Sequence, residues 1–173
     1  MQEVIQFLSL PQPEKYGRFA GGYANIGGGL ARGVELSAQL NPTRSLDLSV
    51  SYTYTNADLR TTTRPGLLTI PGTSTHMFTL FVNQNIRKRW DMTFDFFATG
   101  DISPGFPSPS SASLYVFPGP KKGDLGVSYT LPLTDTRNLR FYAKVENVFN
   151  RQNFEDGYRT PNAWAIGGMS FKF

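Results

Sequence analysis

"SLDLSVSYTYT", residues 45–55, alternates without interruption: Leu46, Leu48, Val50, Tyr52 and Tyr54 against Ser45, Asp47, Ser49, Ser51, Thr53 and Thr55. Successive side chains of an extended strand point to opposite faces, so this stretch builds one wholly apolar face and one of small polar groups. The same period recurs along the chain. "WDMTFDFFAT" (90–99) sets Trp90, Met92, Phe94, Phe96 and Ala98 against Asp91, Thr93, Asp95, Phe97 and Thr99. "RGVELSAQL" (32–40), "HMFTLFVNQNI" (76–86), "DLGVSYTLPL" (124–133) and "LRFYAKVE" (139–146) repeat it, with Phe78, Leu80, Val82 and Ile86 forming the better face of the noisier second stretch. With "EVIQFLSL" (3–10) and the terminal "AWAIGGMSFKF" (163–173), the pattern predicts about eight strands and no helix.

The connections between these strands alternate in length. "NPTR" (41–44), "RKR" (87–89) and "TDTRN" (134–138) are short, whereas residues 11–22, 57–75, 100–123 and 151–162 make long connections. In a meander this places every tight turn at one end of the sheet and every long loop at the other, as in outer-membrane barrels. Soluble sandwiches with Greek-key crossings give no such regular alternation. An even strand count would also put both termini on the turn side.

Composition narrows the class further. At 173 residues one domain is expected, residues 1–173. Hydrophobic content of 39%, with a mean hydropathy of −0.30, excludes a helical membrane bundle, and no run approaches the ~20 apolar residues of a spanning helix. A barrel needs only every second residue to be apolar. The net charge of +4 is scattered, which gives no nucleic-acid surface. The absence of cysteine removes disulfides, thiolate metal sites and cysteine nucleophiles. "MQEVIQFLSL" lacks the parts of a signal peptide, so either the chain is not exported or its signal lies upstream. Tyr52, Tyr54, Trp90, Phe96, Phe141, Phe171 and Phe173 cluster near strand ends on the apolar face, as an aromatic girdle at two membrane interfaces would require. The fold expected is therefore all-β: an antiparallel up-and-down transmembrane β-barrel, partial or small, of about eight strands.

Residues able to carry chemistry are few. Asp91 and Asp95 share a face about 13 Å apart by the ~3.3 Å rise per residue, too far for a paired acid and base. His76 is the only histidine and reads as a loop-edge residue rather than a metal ligand. "GGGLARG" (27–33) lacks the ending and the strand-to-helix context of a phosphate loop and reads as flexible strand and loop. Arg140, Lys144, Glu146, Glu35, Asp47 and Lys172 fall on the polar face, where pairing across strands is expected. Residues 104–120 have loop composition. No catalytic, cofactor or metal site is expected, and the chain is not expected to be an enzyme.

Four segments resemble, in order, the late barrel of TonB-dependent outer-membrane receptors: "YANIGGGLARGVELSAQL" (23–40), "LDLSVSYTYTNA" (46–57), "VENVFNRQNF" (145–154) and "GGMSFKF" (167–173). The resemblance implies the last third of a 22-stranded barrel, without its plug domain or the segment that engages an energy-transducing partner. That partner would not bind this segment directly. It further implies a place in the cell outer membrane among its lipids and a small-molecule or glycan ligand, such as an iron chelate or cobalamin, for the full-length receptor. Long extracellular loops would contribute to binding. Phe173, Phe171 and Met169 resemble the C-terminal signal read by the barrel-assembly machinery, which could capture an exposed edge strand by β-augmentation. Two alternatives stay open: an autonomous eight-stranded outer-membrane barrel and a soluble β-sandwich binding module.

Overall fold

The computed structural model describes residues 3–8, 22–27, 29–59, 73–102, 116–155 and 158–173. Eleven strands follow one another: β1 (Glu3–Leu8), β2 (Gly22–Gly27), β3 (Gly29–Thr43), β4 (Leu46–Leu59), β5 (His76–Ile86), β6 (Trp90–Thr99), β7 (Lys121–Pro132), β8 (Asn138–Glu146), the two-residue β9 (Phe154–Glu155) and β10 (Tyr158–Arg159), and β11 (Trp164–Lys172). Seven of them form one antiparallel sheet in the order β11-β8-β7-β6-β5-β4-β3. Each strand of the sheet pairs with the next one in sequence, apart from the two-residue β9 and β10 that pair with each other between β8 and β11, so this is the up-and-down meander that the connection lengths predict.

Register decides which residues share a face. Across β3 to β6, Ala38 lies opposite Val50, Val50 opposite Leu80, and Leu80 opposite Phe96. A second row continues Leu40, Leu48, Val82, Phe94, Leu125, Val145 and Ala165 through all seven strands. A one-residue slip at any ladder would turn that strand's apolar set to the other side, and no such slip occurs in these rows. The single irregularity is a bulge between Leu40 and Thr43. It contains Pro42, which cannot donate to a ladder and is tolerated on an edge strand.

No layer packs upon the apolar face among the described residues. Among the described residues Ala57 is the only buried hydrophobic side chain, while Leu36, Leu40, Trp90, Met92, Leu125, Phe141 and Met169 are all exposed. In water such a surface would far exceed the few hundred Å² that a soluble monomer presents. The sandwich alternative required a second sheet against this face, and the described residues contain none. Aromatic rings gather in two bands instead. Tyr52, Tyr54, Phe78 and Phe96 lie toward the loop end, and Trp90, Tyr129, Phe141 and Phe171 toward the turn end.

The sheet refines the expectations for the first part of the chain. "EVIQFLSL" is a strand over Glu3–Leu8, as expected, but it pairs with β2 in a two-stranded sheet and not with the seven-stranded one. An odd seven remains, so β3 enters the sheet at the loop end while β11 finishes at the turn end. "GGGLARG" is not a loop over its described part: Gly29–Gly33 pairs with Leu59–Thr55, and a Cβ at Gly33 would collide with the Tyr54 carbonyl. The loop reading of 104–120 lies outside the described residues as far as 115; Phe117 forms an isolated bridge with Ile102.

Candidate functional site

The polar face concentrates its charge near the loop end. Lys144 Nζ lies 2.9 Å from Glu146 and 3.3 Å from Asp124, and Lys122 Nζ lies 3.7 Å from both Asp124 and Glu146. Asp95 sits directly opposite Asp124 on the ladder, and among the described residues it has no ion pair. Like charges facing each other across a strand pair are unfavourable, so Lys122 and Lys144 offset a repulsion as well as forming pairs. A depression of ≈ 220 Å³ beside them is lined by Ser49, Thr79, Phe81, Asp95, Phe97 and Lys122. It offers anionic, cationic, hydroxyl and aromatic groups together on one wall.

The expected cross-strand pairing is met in part. Lys144 bridges to Asp124, but its shorter contact is to Glu146 two residues along the same strand. Arg140 donates to Ser128 Oγ at 3.0 Å. Asp47 accepts from Asn41 and, at 3.3 Å, from Asn83. Glu35 and Lys172 form no ion pair among the described residues. Asp91 is held by Asn85 Nδ2 at 2.7 Å, far along β6 from Asp95. His76 opens β5, and its Nδ1 lies 2.8 Å from Tyr52 Oη, with the Tyr54 ring 5.4 Å away. It belongs to the aromatic band at the loop end. No group of three or more His, Asp or Glu able to hold a metal gathers among the described residues.

An asparagine network that the sequence reading missed fixes the connection above this wall. Asn147 is 2% exposed and adopts a left-handed φ of 54°, a region in which asparagine is enriched. Its N–H donates to Asp124 at 3.0 Å, its Nδ2 donates to the carbonyls of Arg151 (2.8 Å) and Pro161 (3.2 Å), and its Oδ1 accepts from Arg151 N–H at 3.2 Å. Asn150 Oδ1 accepts from Ala163 N–H, and Asn153 Oδ1 from Lys121 N–H, each at 3.0 Å. Three asparagines spaced by three residues therefore tie the 147–163 connection to β7 and to the start of β11. The spacing N-x-x-N-x-x-N was the available signal. Between them Phe149 turns to the apolar face, edge-on to Phe96 with ring centroids 6.0 Å apart. Gly123 makes room for it, because a Cβ there would lie 2.6 Å from Phe149 Cε2.

Met169, Phe171 and Phe173 lie on the apolar face of the last strand, Met169 opposite Phe141 and Phe171 opposite Leu139. They are 71%, 52% and 91% exposed, and the rings of Phe171 and Phe173 stack at 6.2 Å. Among the described residues β11 pairs only with β8, so its other edge carries free backbone donors and acceptors.

A family model described as TonB dependent receptor-like, beta-barrel matches residues 4–148. No curated protein matches the chain. Among solved structures, the chain is similar to BauA, the ferric preacinetobactin receptor of Acinetobacter baumannii, with a TM-score of 0.67 and 18% identity over 99% of this chain. It is also similar to the siderophore receptors PirA (0.62, 17%, 99% of this chain) and PiuA (0.57, 17%, 87%) of the same organism. It spans only 26%, 26% and 22% of those three receptors. At these identities the structures establish the fold, and the family match adds the lineage. The chain belongs to the TonB dependent receptor-like β-barrel family.

Proposed function

We propose that residues 1–173 are the C-terminal barrel portion of an outer-membrane receptor that takes up a small iron chelate. The carrying observation is the apolar face of seven strands, interrupted near the turn end by Gln84, uncovered among the described residues and banded by aromatic rings at both ends, beneath connections that are long at one end only. That face fits bilayer, and the opposite polar face then lines a wet interior. The iron-chelate class draws on the names of the three similar receptors; cobalamin and glycans are the competing ligands. The charged wall around Asp95, Lys122, Asp124 and Lys144 lies on the interior side, near the loops, where an incoming ligand would pass. Met169, Phe171 and Phe173, presented on a free edge strand, act in this reading as the signal for barrel assembly.

Orientation can be tested directly because the chain has no native cysteine. Asn162→Cys at the loop end should react with a membrane-impermeant thiol reagent in intact cells, and Thr136→Cys in the β7–β8 turn only after lysis. Equal labelling of both in intact cells, or the reverse order, would overturn the reading. For the ligand, deleting the encoding gene under iron limitation should lower uptake of a labelled ferric chelate. A loss of cobalamin or glycan uptake instead would reassign it.

A further inference from the structure

Five cations stand at the turn end of the sheet: Arg44 between β3 and β4, Arg87, Lys88 and Arg89 between β5 and β6, and Arg137 between β7 and β8. The same turns contain one acid, Asp135. All five cations are exposed, and among the described residues none forms an ion pair, every bridge belonging to Lys122 or Lys144 at the other end. The middle cluster is built on unfavourable backbone. Arg87 and Lys88 adopt φ of 52° and 60°, and Arg89 N–H closes the turn on Ile86 O at 3.2 Å. Two left-handed central residues define the hairpin turn for which Asn-Gly is the preferred sequence. Two long cationic side chains there hold a strained conformation. Asn85 fixes the turn from within, accepting from Lys88 N–H at 3.1 Å and donating to Asp91 at 2.7 Å.

Directly behind these cations the apolar face is hollowed. A depression of ≈ 340 Å³ lies among Trp90, Val127, Tyr129, Phe141 and Ala143, with Trp90 and Tyr129 rings 4.7 Å apart on its wall. Small side chains at Val127 and Ala143 leave the gap that the rings frame. From the turn inward the order is unpaired cations, amphipathic rings, apolar hollow. A phospholipid presents the matching order of phosphate, interface and acyl chain.

The geometry points to a site for one anionic phospholipid, its headgroup phosphate met by Arg87, Lys88 and Arg89 and an acyl chain seated against Trp90, Tyr129 and Phe141. An acidic protein or nucleic acid would be served by the cations alone and has no use for the hollow. This site rests on the membrane-spanning reading given above, and its test separates the two.

The chain has two tryptophans, Trp90 and Trp164, so Trp164→Phe leaves Trp90 as a reporter inside the hollow. The protein is reconstituted into phosphatidylcholine vesicles with a minor fraction of phosphatidylglycerol, one lipid or the other carrying acyl-chain bromines that quench indole. Brominated phosphatidylglycerol should quench about three- to tenfold more per mole fraction at low salt, falling toward parity at high salt. Arg87→Asn/Lys88→Gly supplies the preferred turn and should fold at least as well, yet lose the preference. Equal quenching by both lipids, or a preference that survives the double substitution, would overturn the site. Quenching by neither lipid in protein that floats with the vesicles would mean that Trp90 does not face acyl chains, and would overturn the membrane reading and this site together. Exchanging chloride for inorganic phosphate at equal ionic strength should leave the preference intact; its loss would make free phosphate, and not lipid, the ligand.

Discussion

At the residue scale, the tightest demands fall where β7 meets the connection after β8. Gly123 is the floor on which Phe149 rests, with no space for even a methyl group. Gly123→Val should therefore cost about 1–3 kcal/mol through overpacking, read from denaturant-induced unfolding in detergent. In a Phe149→Ala background the same substitution should cost much less, because the ring that it strikes is gone. A penalty unchanged in that background would show that Phe149 is not what Gly123 accommodates. Asn147 makes a different demand. Replacing it with Leu leaves Arg151 N–H and the carbonyls of Arg151 and Pro161 without its amide, at roughly 1–3 kcal/mol for each buried group left unpaired. Trypsin should then cut faster at Arg151 and Arg159, while cleavage at Arg87 and Lys88 stays as in the parent. Gly123 did not stand out in the sequence, and Asn147 did so only as part of "VENVFNRQNF"; both acquire their roles from partners that register alone brings near.

At the element scale, what periodicity could reveal and what it could not are cleanly separated. β5 and β6 have the bounds that alternation gives, His76–Ile86 and Trp90–Thr99, because "RKR" interrupts the pattern between them. β4 runs to Leu59, past the alternating stretch, since the ladder to β3 continues through Asn56 and Asp58 after the apolar signal fades. β2, "GYANIG", has only Tyr23 and Ile26 as bulky residues, three apart and so on opposite faces of a strand, and left no alternating signature. The charged wall was half legible: Lys144 and Glu146 visibly share a face, but Asp124 joins them only through the β7–β8 register. The faces themselves yield a prediction on β4. Val50→Lys puts a charge in the middle of the apolar face and should weaken folding into vesicles by about 2–4 kcal/mol. Thr53→Lys faces the other way, directly opposite Glu35, and should stay within about 0.5 kcal/mol of the parent. Similar penalties for both would contradict the assignment of the two faces.

At the scale of the whole sheet, parity governs how its seven described strands can close among themselves. Antiparallel closure needs an even number of strands, and here the two edge strands, β3 and β11, run in the same sense because five strands of alternating direction separate them. Bringing these edges together, within one copy or between two equally oriented copies, would create a parallel seam, which the even-stranded barrels of bacterial outer membranes do not contain. β3 and β11 each pair with one neighbour, whereas β4 to β8 pair with two. In the isolated chain in detergent, amide exchange should therefore be slowest in β5, β6 and β7 and faster in alternate residues of β3 and β11, whose outward N–H groups have no ladder partner. Blocking both edges should also reduce self-association, since long exposed edges with apolar side chains are templates for further pairing. Ser37→Pro on β3, where the N–H faces outward, together with Met169→Pro on β11 should shift the refolded protein toward monomer in detergent. Protection of the two edge strands equal to that of β6 in monomeric protein would show that the sheet closes on itself, and would refute the open-edge description.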